Sequence, residues 1–289
     1  MFHFFVSSEQ ITDNEIRIKD SDYNHIKNVI RLKTGEQILV SEKKSDESFK
    51  TGEAVKACKT VEISEAGNAT EAKETFAMGS EAGNRGSKNY LCELVSYTDT
   101  EAIFEILEKD VPDTELPCRI TLYQGLPKSD KMEFIIQKAV ELGVYDIVPV
   151  AMKRCVVKLD DKKEGSKLKR WNAISESAAK QSKRSIIPAI RSSMSYKQVL
   201  EEAKKLDVVL VPYENEEGMR ATREVISGIK PGQTVGIIIG PEGGFEDSEI
   251  EAARNAEFNV ISLGKRILRT ETAGLSALSM ITYAIEDIS

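Results

Sequence analysis

From about residue 118 onward, apolar stretches of strand length alternate with amphipathic stretches of helical length, and this alternation narrows the possible folds more than any other feature. The predicted strands cover 119–125, 145–151, 207–213, 234–240 and 259–264. The predicted helices cover 129–142, 167–184, 195–205, 216–227, 247–257 and 272–287. Parallel strands are buried on both faces and need crossover helices, so this pattern predicts an α/β domain with a mainly parallel sheet.

The first part of the chain has a different pattern. Alternation of apolar and polar residues predicts short strands over 15–20 and 53–63, and a further strand over 36–42 follows the Thr34-Gly35 turn. The apolar residues of 22–32 predict a short helix. This arrangement is typical of a small β-rich barrel or sandwich. A length of 289 residues also favours two domains over one.

A low-complexity stretch separates the two patterns. Residues 64–90 are rich in Gly, Ala, Glu, Ser and Asn, and the pentapeptide SEAGN occurs in them twice. Such a composition predicts a long loop, here leading to a strand over 89–97, and the following 101–109 looks helical. The predicted domains are 1–97 and 118–289, joined by a linker over 98–117.

Composition argues against several classes of protein. No apolar run reaches the length of a membrane span and the first residues lack a signal-peptide pattern, which predicts a cytoplasmic protein without a membrane partner. The four cysteines form no CxxC pair, and His3 and His25 are the only histidines. A metal site built from His and Cys, or a Ser-His-Asp triad, is therefore not expected.

Charge is unevenly distributed along the chain. The formal net charge is −7, yet residues 153–191 contain twelve Lys and Arg against four Asp and Glu. A local basic field suits docking to a phosphate backbone, although a solvated helical face explains the same charges equally well.

A glycine-rich turn follows one of the predicted buried strands, in the sequence IIIGPEGGFEDSEI (237–250). Ligands bind parallel sheets at the carboxyl ends of the strands, where glycines let the backbone approach a ligand closely. The spacing matches neither a P-loop nor the GxGxxG fingerprint, and Glu242 disfavours a polyphosphate. A cationic or zwitterionic ligand with an adenosine moiety fits better. The competing interpretation is a helix-capping turn, with Ser248 and Glu251 at capping-box spacing.

Two neighbouring strand ends complete the predicted site. One is 211–217, which carries Glu214. The other is 262–273, where Lys265, Arg266 and Arg269 place three cations within five residues. One side of the ligand would therefore meet a neutral to acidic environment, and the other side a strongly positive one.

The motifs GPEGGF (240–245) and RILRTETA (266–273), at this separation, resemble those of the RsmE family, the 16S ribosomal RNA uridine-N3 methyltransferases of the SPOUT superfamily. The resemblance extends over nearly the whole chain, including 25–40, 126–144 and 170–190. Two features depart from the family pattern: the insert over 64–90, and Glu246, where relatives often have serine.

The resemblance implies a fold and a set of partners. It implies an N-terminal PUA-like β-barrel and a C-terminal Rossmann-like domain that ends in a trefoil knot. It also implies a homodimer that binds S-adenosyl-L-methionine and acts on 16S rRNA in the small ribosomal subunit. The donor-binding residues it implies are Pro212, Gly240, Glu242, Gly243, Leu263, Gly264, Ile267 and Leu268.

The residues that face RNA follow from the same resemblance and from chemistry. Methylation of N3 needs no covalent intermediate, so positioning, charge stabilisation and a proton acceptor suffice. Arg266 or Arg269 is the candidate cation beside the uracil carbonyls, and Glu271 is either the base or an ion-pair partner of an arginine. The candidate RNA-binding residues are Lys27, Arg31, Lys33, Arg154, Lys183 and Arg184. Lys128 and Lys131 are interpreted as ordinary surface residues.

The sequence leaves three other functions open. One is a related SPOUT methyltransferase acting on another RNA or another atom. A second is a non-catalytic RNA-binding protein of ribosome assembly, which a donor-binding titration would distinguish. The third is a nucleotide-dependent enzyme, which magnesium dependence would reveal.

Overall fold

The structure is a computed structural model, and it describes residues 1–43, 88–112, 114–157, 159, 161–216 and 218–286. Its first sheet has five strands, in the order β1-β3-β4-β5-β2. These strands are β1 (Phe2–Val6), β2 (Glu15–Ile18), β3 (Gln37–Glu42), β4 (Asn89–Tyr97) and β5 (Ala102–Lys109). Only β1 and β3 pair in parallel. A short helix α1 (Asp20–Asn24) continues into a wider π-type turn over His25–Ile30 beneath the sheet.

The second sheet is parallel throughout and has the order β12-β10-β11-β6-β7-β8, with β9 also paired to β7. Its strands are β6 (Arg119–Gly125), β7 (Asp146–Ala151), β8 (Ala189–Ile190), β9 (Met194–Ser195), β10 (Val208–Pro212), β11 (Thr234–Ile239) and β12 (Asn259–Ile261). Its helices are α2 (Lys131–Glu141), α3 (Asp161–Ser182), α4 (Tyr196–Ala203), α5 (Arg220–Ser227), α6 (Asp247–Asn255) and α7 (Thr270–Glu286). Separate apolar cores lie on its two faces, so the predicted α/β fold with a parallel, Rossmann-like sheet is confirmed.

The last helix determines where the site forms. Strand β12 lies at one edge of the sheet. Helix α7 packs instead against β11 and β6, which are interior strands of the sheet. The segment 262–269 therefore runs back across the carboxyl ends of β10 and β11 before the helix begins. This crossing brings the arginine-rich segment beside the glycine-rich turn.

The N-terminal predictions are confirmed in part. Strands form near 15–20, 36–42 and 89–97, but 101–109 is the strand β5 and not a helix. Its buried residues, Ala102 and Phe104, alternate with more exposed ones, and pairing with both β2 and β4 decides in favour of the strand. The segment predicted as a linker thus contains a strand of the first sheet. The predicted strand 53–63 and most of the 64–90 loop lie outside the described residues.

A chain of buried hydrogen bonds joins the first sheet to the loop that follows α3. The Ser41 hydroxyl donates to Asn89 Oδ1 at 2.6 Å and therefore accepts from His3 Nε2 at 2.8 Å. Asn89 in turn donates to the Ser185 hydroxyl at 2.8 Å. The proton of the neutral His3 ring thus lies on Nε2, and Nδ1 is buried without a hydrogen bond among the described residues.

We expect this histidine to make folding sensitive to mild acid. Burial, with a smaller contribution from Lys180, lowers the pKa of His3 from 6.5 to about 4. The folded state therefore binds fewer protons than the unfolded chain below pH 6.5, and stability is lost as the pH falls from there towards 4. Between pH 7 and pH 5 this histidine should remove about 2 kcal/mol from the free energy of unfolding. Urea unfolding of wild type and His3→Gln at both pH values measures the difference, and an equal loss in both proteins would contradict the assignment.

None of the helices in the described ranges combines the length and apolar character needed to cross a membrane.

Candidate functional site

A cleft of about 410 Å³ opens at the carboxyl edge of the parallel sheet, a size within the usual range for small-molecule sites. Three chain segments form it: the end of β10, the turn after β11, and the start of α7 with the residues before it. The lining residues are Lys131, Pro212, Glu214, Ile239, Gly240, Pro241, Glu242, Gly243, Gly244, Phe245, Ile267, Leu268, Arg269, Thr270 and Ala273.

The ends of β6 and β11 approach each other closely beneath this cleft. A Cβ atom on Gly125 would lie 2.7 Å from the backbone nitrogen of Pro241 and 2.9 Å from the carbonyl oxygen of Ile239, so a side chain there would displace the turn. Gly244 has a φ of +70°, a conformation that glycine adopts without strain. Gly125 therefore permits the close approach of the two strand ends, and Gly244 permits the shape of the turn.

Thr270, the first residue of α7, fixes the glycine-rich turn to this helix. Its hydroxyl donates to the carbonyl oxygen of Gly240 at 2.6 Å and accepts from Gln124 Nε2 at 2.8 Å. Both side chains are buried, so these bonds are shielded from water. The ends of β6 and β11 and the beginning of α7 are thereby held in register.

Glu242 is a paired carboxylate and not a free charge in the cleft. Its carboxylate accepts from the backbone N–H of Lys128 at 2.9 Å and lies 3.1 Å from Lys131 Nζ. Desolvation opposes ionisation, but these two contacts lower the pKa of Glu242. Glu242 thus ties the glycine-rich turn to the loop between β6 and α2 and to the start of α2.

Arg154 holds the same turn from the other side. Its Nη1 donates to the carbonyl oxygen of Gly243 at 3.0 Å, and its Nε donates to Glu246 Oε1 at 3.1 Å. The neighbouring Lys153 donates its backbone N–H to Glu249 Oε1 at 3.1 Å. The sequence predicts that Arg154 contacts RNA, whereas in the structure its guanidinium binds the glycine-rich turn.

The turn also caps α6, but through different residues from those predicted. Glu246 is the N-cap, and its backbone N–H donates to Glu249 Oε2 at 2.9 Å. The capping box predicted for Ser248 and Glu251 is therefore wrong, because the helix begins at Asp247. Ligand-binding and capping interpretations of this stretch are compatible, since residues 240–245 line the cleft and 246–249 form the cap.

The structure brings together most of the predicted donor-binding residues. Pro212, Gly240, Glu242, Gly243, Ile267 and Leu268 line the cleft, while Leu263 and Gly264 precede the lining segment. Of the predicted catalytic residues, Arg269 lines the cleft and Arg266 is exposed nearby in the chain. Glu271 lies in the first turn of α7, with its side chain 15% exposed and its Oε2 3.5 Å from Lys131 Nζ.

Sequence reasoning missed Lys131. The sequence suggests an ordinary surface residue, but Lys131 lines the cleft and contacts both Glu242 and Glu271. The sequence indicates that Lys131 lies near the start of a helix. It does not indicate the two partners, because they lie more than 100 residues away in the chain.

The predicted RNA-binding residues have different surroundings. Lys27, Arg31, Lys33 and Lys183 are exposed, as RNA contacts require. Arg184 is not: its side chain is 4% exposed, forms an ion pair with Glu115, and donates to the carbonyl oxygens of Val140 and Val144. The prediction for Arg184 is wrong, because this arginine is part of the interior.

Within the described ranges, no three His, Cys, Asp or Glu side chains lie close enough together to form a metal site.

The known proteins that this chain resembles are RNA methyltransferases. The model of the RNA methyltransferase domain family matches residues 114–282. Ribosomal RNA small subunit methyltransferase E of Bacillus subtilis (strain 168) is 39% identical over 198 residues, which cover 68% of this chain and 77% of that protein. The protein of the same name from Mesomycoplasma hyopneumoniae (strain 232) is 41% identical over 198 residues, covering 68% of this chain and 82% of its own.

A solved structure extends the likeness to the whole fold. The crystal structure of ribosomal RNA small subunit methyltransferase E from Neisseria gonorrhoeae bound to S-adenosyl methionine has a TM-score of 0.73 and 28% identity, and the match covers 98% of this chain and 97% of that one. The family model spans more than half of the chain, and the resemblance carried by the glycine-rich and arginine-rich motifs is confirmed. The chain belongs to the ribosomal RNA small subunit methyltransferase E family of RNA methyltransferases.

Proposed function

We propose that this protein transfers a methyl group from S-adenosyl-L-methionine to N3 of a uridine in the decoding region of 16S rRNA, within the small ribosomal subunit. The observation that carries the proposal is the cleft at the carboxyl edge of the sheet, where a glycine-rich turn with paired glutamates faces a segment bearing arginines. Family membership supports the reaction class, and the relatives' names support the substrate.

The cleft fits the methyl donor in chemical character. Lys131 is neutralised by Glu242, and Glu214 adds negative charge, so the lining disfavours a polyphosphate and suits a cationic sulfonium. Ile239, Ile267 and Leu268 provide apolar surface for an adenine ring, and the backbone of 240–244 provides N–H and C=O groups. S-adenosylmethionine supplies an electrophilic methyl group when bound. Leu263 and Gly264 complete the proposed donor contacts.

The acceptor side carries the proton and charge chemistry. We assign the N3 proton to the Glu271 carboxylate, which leaves the N3 lone pair free to form the new bond to carbon as the bond from sulfur breaks. Arg269 lines the cleft and is the cation that stabilises negative charge on the uracil oxygens, with Arg266 beside it in the chain. The target base must leave its stack or pair to reach this position.

RNA around the target would be held by basic residues outside the cleft. Lys27, Arg31 and Lys33 lie at the turn that follows α1, and Lys183 lies at the end of α3; all four are exposed. Arg154, also exposed, is assigned to holding the glycine-rich turn.

Several features of the architecture belong to the same proposal. The first sheet would be the open face of a PUA-like barrel, with 1–97 as its main part, and 118–289 would form the methyltransferase domain. A trefoil knot is supported by the path of 262–269, which returns from the sheet edge across two strand ends before α7 enters the interior. A ribosomal substrate would place the protein in the cytoplasm.

A homodimer is supported by exposed apolar side chains, one at the cleft and two on the neighbouring helices α2 and α7. Ile267 lines the cleft and yet is 84% exposed, and Tyr283 on α7 is 79% exposed. Phe134 on α2 is also exposed, and α2 packs beside α7. A second copy of this chain placed here would cover apolar surface and close the mouth of the cleft.

The experiment that tests the function uses small ribosomal subunits from cells that lack this gene. The purified protein is incubated with them and methyl-labelled S-adenosylmethionine, and the digested rRNA is analysed by mass spectrometry. We expect the label in 3-methyluridine at one position. Subunits from cells that have the gene serve as a control, because their target uridine is already methylated and should take up no label.

Other outcomes identify the alternatives. Label in a different nucleoside or at a ribose oxygen would favour another methylation reaction. Donor binding without label would indicate another RNA, and absence of donor binding would favour a non-catalytic RNA-binding protein.

A further inference from the structure

Lys131 lies between two carboxylates on different elements, Glu242 in the turn that lines the cleft and Glu271 in the first turn of α7. Its Nζ lies 3.1 Å from Glu242 Oε1, in the glycine-rich turn, and 3.5 Å from Glu271 Oε2, in the first turn of α7. The hydrogen bond with Glu242 raises the pKa of Lys131, so the ammonium is charged at neutral pH. One cation thus bridges the proposed donor side and the proposed acceptor side.

The two carboxylates depend on this cation to different degrees. Glu242 also accepts from the backbone N–H of Lys128 at 2.9 Å, so it keeps a partner if the lysine is removed. Glu271 Oε2 is buried and accepts no hydrogen bond within the part of the chain that the structure describes. A buried carboxylate that loses its ion pair is strongly disfavoured, so Glu271 would change its position or its protonation.

We infer that Lys131 is a positioning residue for methyl transfer: it holds Glu271 at the acceptor side of the cleft and ties it to the donor-binding turn through Glu242. The inference rests on the proposed function and adds a residue to it. Lys131 acts through Glu271, whereas the donor-binding turn retains its attachment to Lys128.

This asymmetry predicts a specific kinetic result. Lys131→Met keeps most of the side-chain volume and removes the charge. We expect kcat for methyl transfer to fall roughly 10- to 100-fold, the size of effect that misplacing a reacting group produces. The dissociation constant of S-adenosylmethionine should stay within about threefold of wild type, because the donor-binding turn keeps its contact with Lys128. A change in kcat without a change in donor affinity indicates that an interaction of the transition state is lost. Lys131→Arg retains both ion pairs and should recover most of kcat.

The matched control is Lys138→Met. Lys138 is on the same helix and pairs with Glu141 at 2.8 Å, away from the cleft. Activity is measured on small ribosomal subunits, donor affinity by calorimetry, and folding of each variant by thermal unfolding. Lys138→Met should leave kcat and donor affinity unchanged.

Three results would overturn the inference while the proposed function stands. They are an unchanged kcat in a folded Lys131→Met protein, a loss confined to donor affinity, and a failure of Lys131→Arg to recover activity. If the wild-type protein itself transfers no methyl group to RNA, the proposed function fails and the inference fails with it.

Discussion

Replacing Arg269 with alanine is expected to reduce methyl transfer by about two to three orders of magnitude, the loss typical of removing one preorganised group that stabilises transition-state charge. Arg269 lines the cleft, and its side chain is exposed and does not contribute to the hydrophobic core. The thermal stability of the variant should therefore match wild type. Single-turnover labelling of small ribosomal subunits measures the rate, and calorimetry measures donor affinity.

Arg220→Ala is the matched control for this substitution. Arg220 is 93% exposed and pairs with Glu224 on the same helix, a contact that contributes little to stability. It should leave the rate unchanged. A folded Arg269→Ala protein with wild-type activity would remove the arginine-rich segment from the proposed chemistry, and a loss explained wholly by weaker donor binding would reassign it to the donor site.

The largest effect on stability is expected from Glu115→Ala. Glu115 forms an ion pair with the buried Arg184 and accepts from the backbone N–H groups of Ser185 at 2.9 Å and Ile186 at 3.2 Å. Removing one partner of a buried pair leaves the other charge uncompensated, at a cost of about 3–5 kcal/mol. Urea unfolding measures this as a lower free energy of unfolding.

Glu224→Ala provides the comparison, because it removes the same side chain from an exposed Arg–Glu pair. That variant should lose less than about 1 kcal/mol. If Arg184 instead contacted RNA, Glu115→Ala would change RNA affinity with little change in stability. Equal stability of the two variants would contradict the interior role assigned to this pair.

Local patterns in the sequence predicted much of the parallel domain. Nearly continuous apolar runs mark β7, β10 and β11, and amphipathic spacing marks the helices between them. Parallel strands end at a common edge, so the glycine-rich turn and the arginine-rich segment were expected to meet. Both line the observed cleft.

Predictions failed where a distant partner decided the outcome. The segment 101–109 has residues compatible with a helix, but pairing with β2 and β4 makes it a strand. Arg184 looks like one more cation in a basic stretch, and only Glu115 and two backbone carbonyls explain its burial. Lys131 resembles a surface lysine until Glu242 and Glu271 are placed beside it.

The sequence by itself determined the class of the second domain, the family, and the two motifs that form the cleft, because hydrophobic period and glycine placement are local properties of the chain. Tertiary structure alone decided which charges face solvent and which are paired, since an ion pair depends on groups that lie far apart in the chain. Arg154 and Lys131 illustrate this, as each is committed to the glycine-rich turn by partners about 90 to 110 residues away.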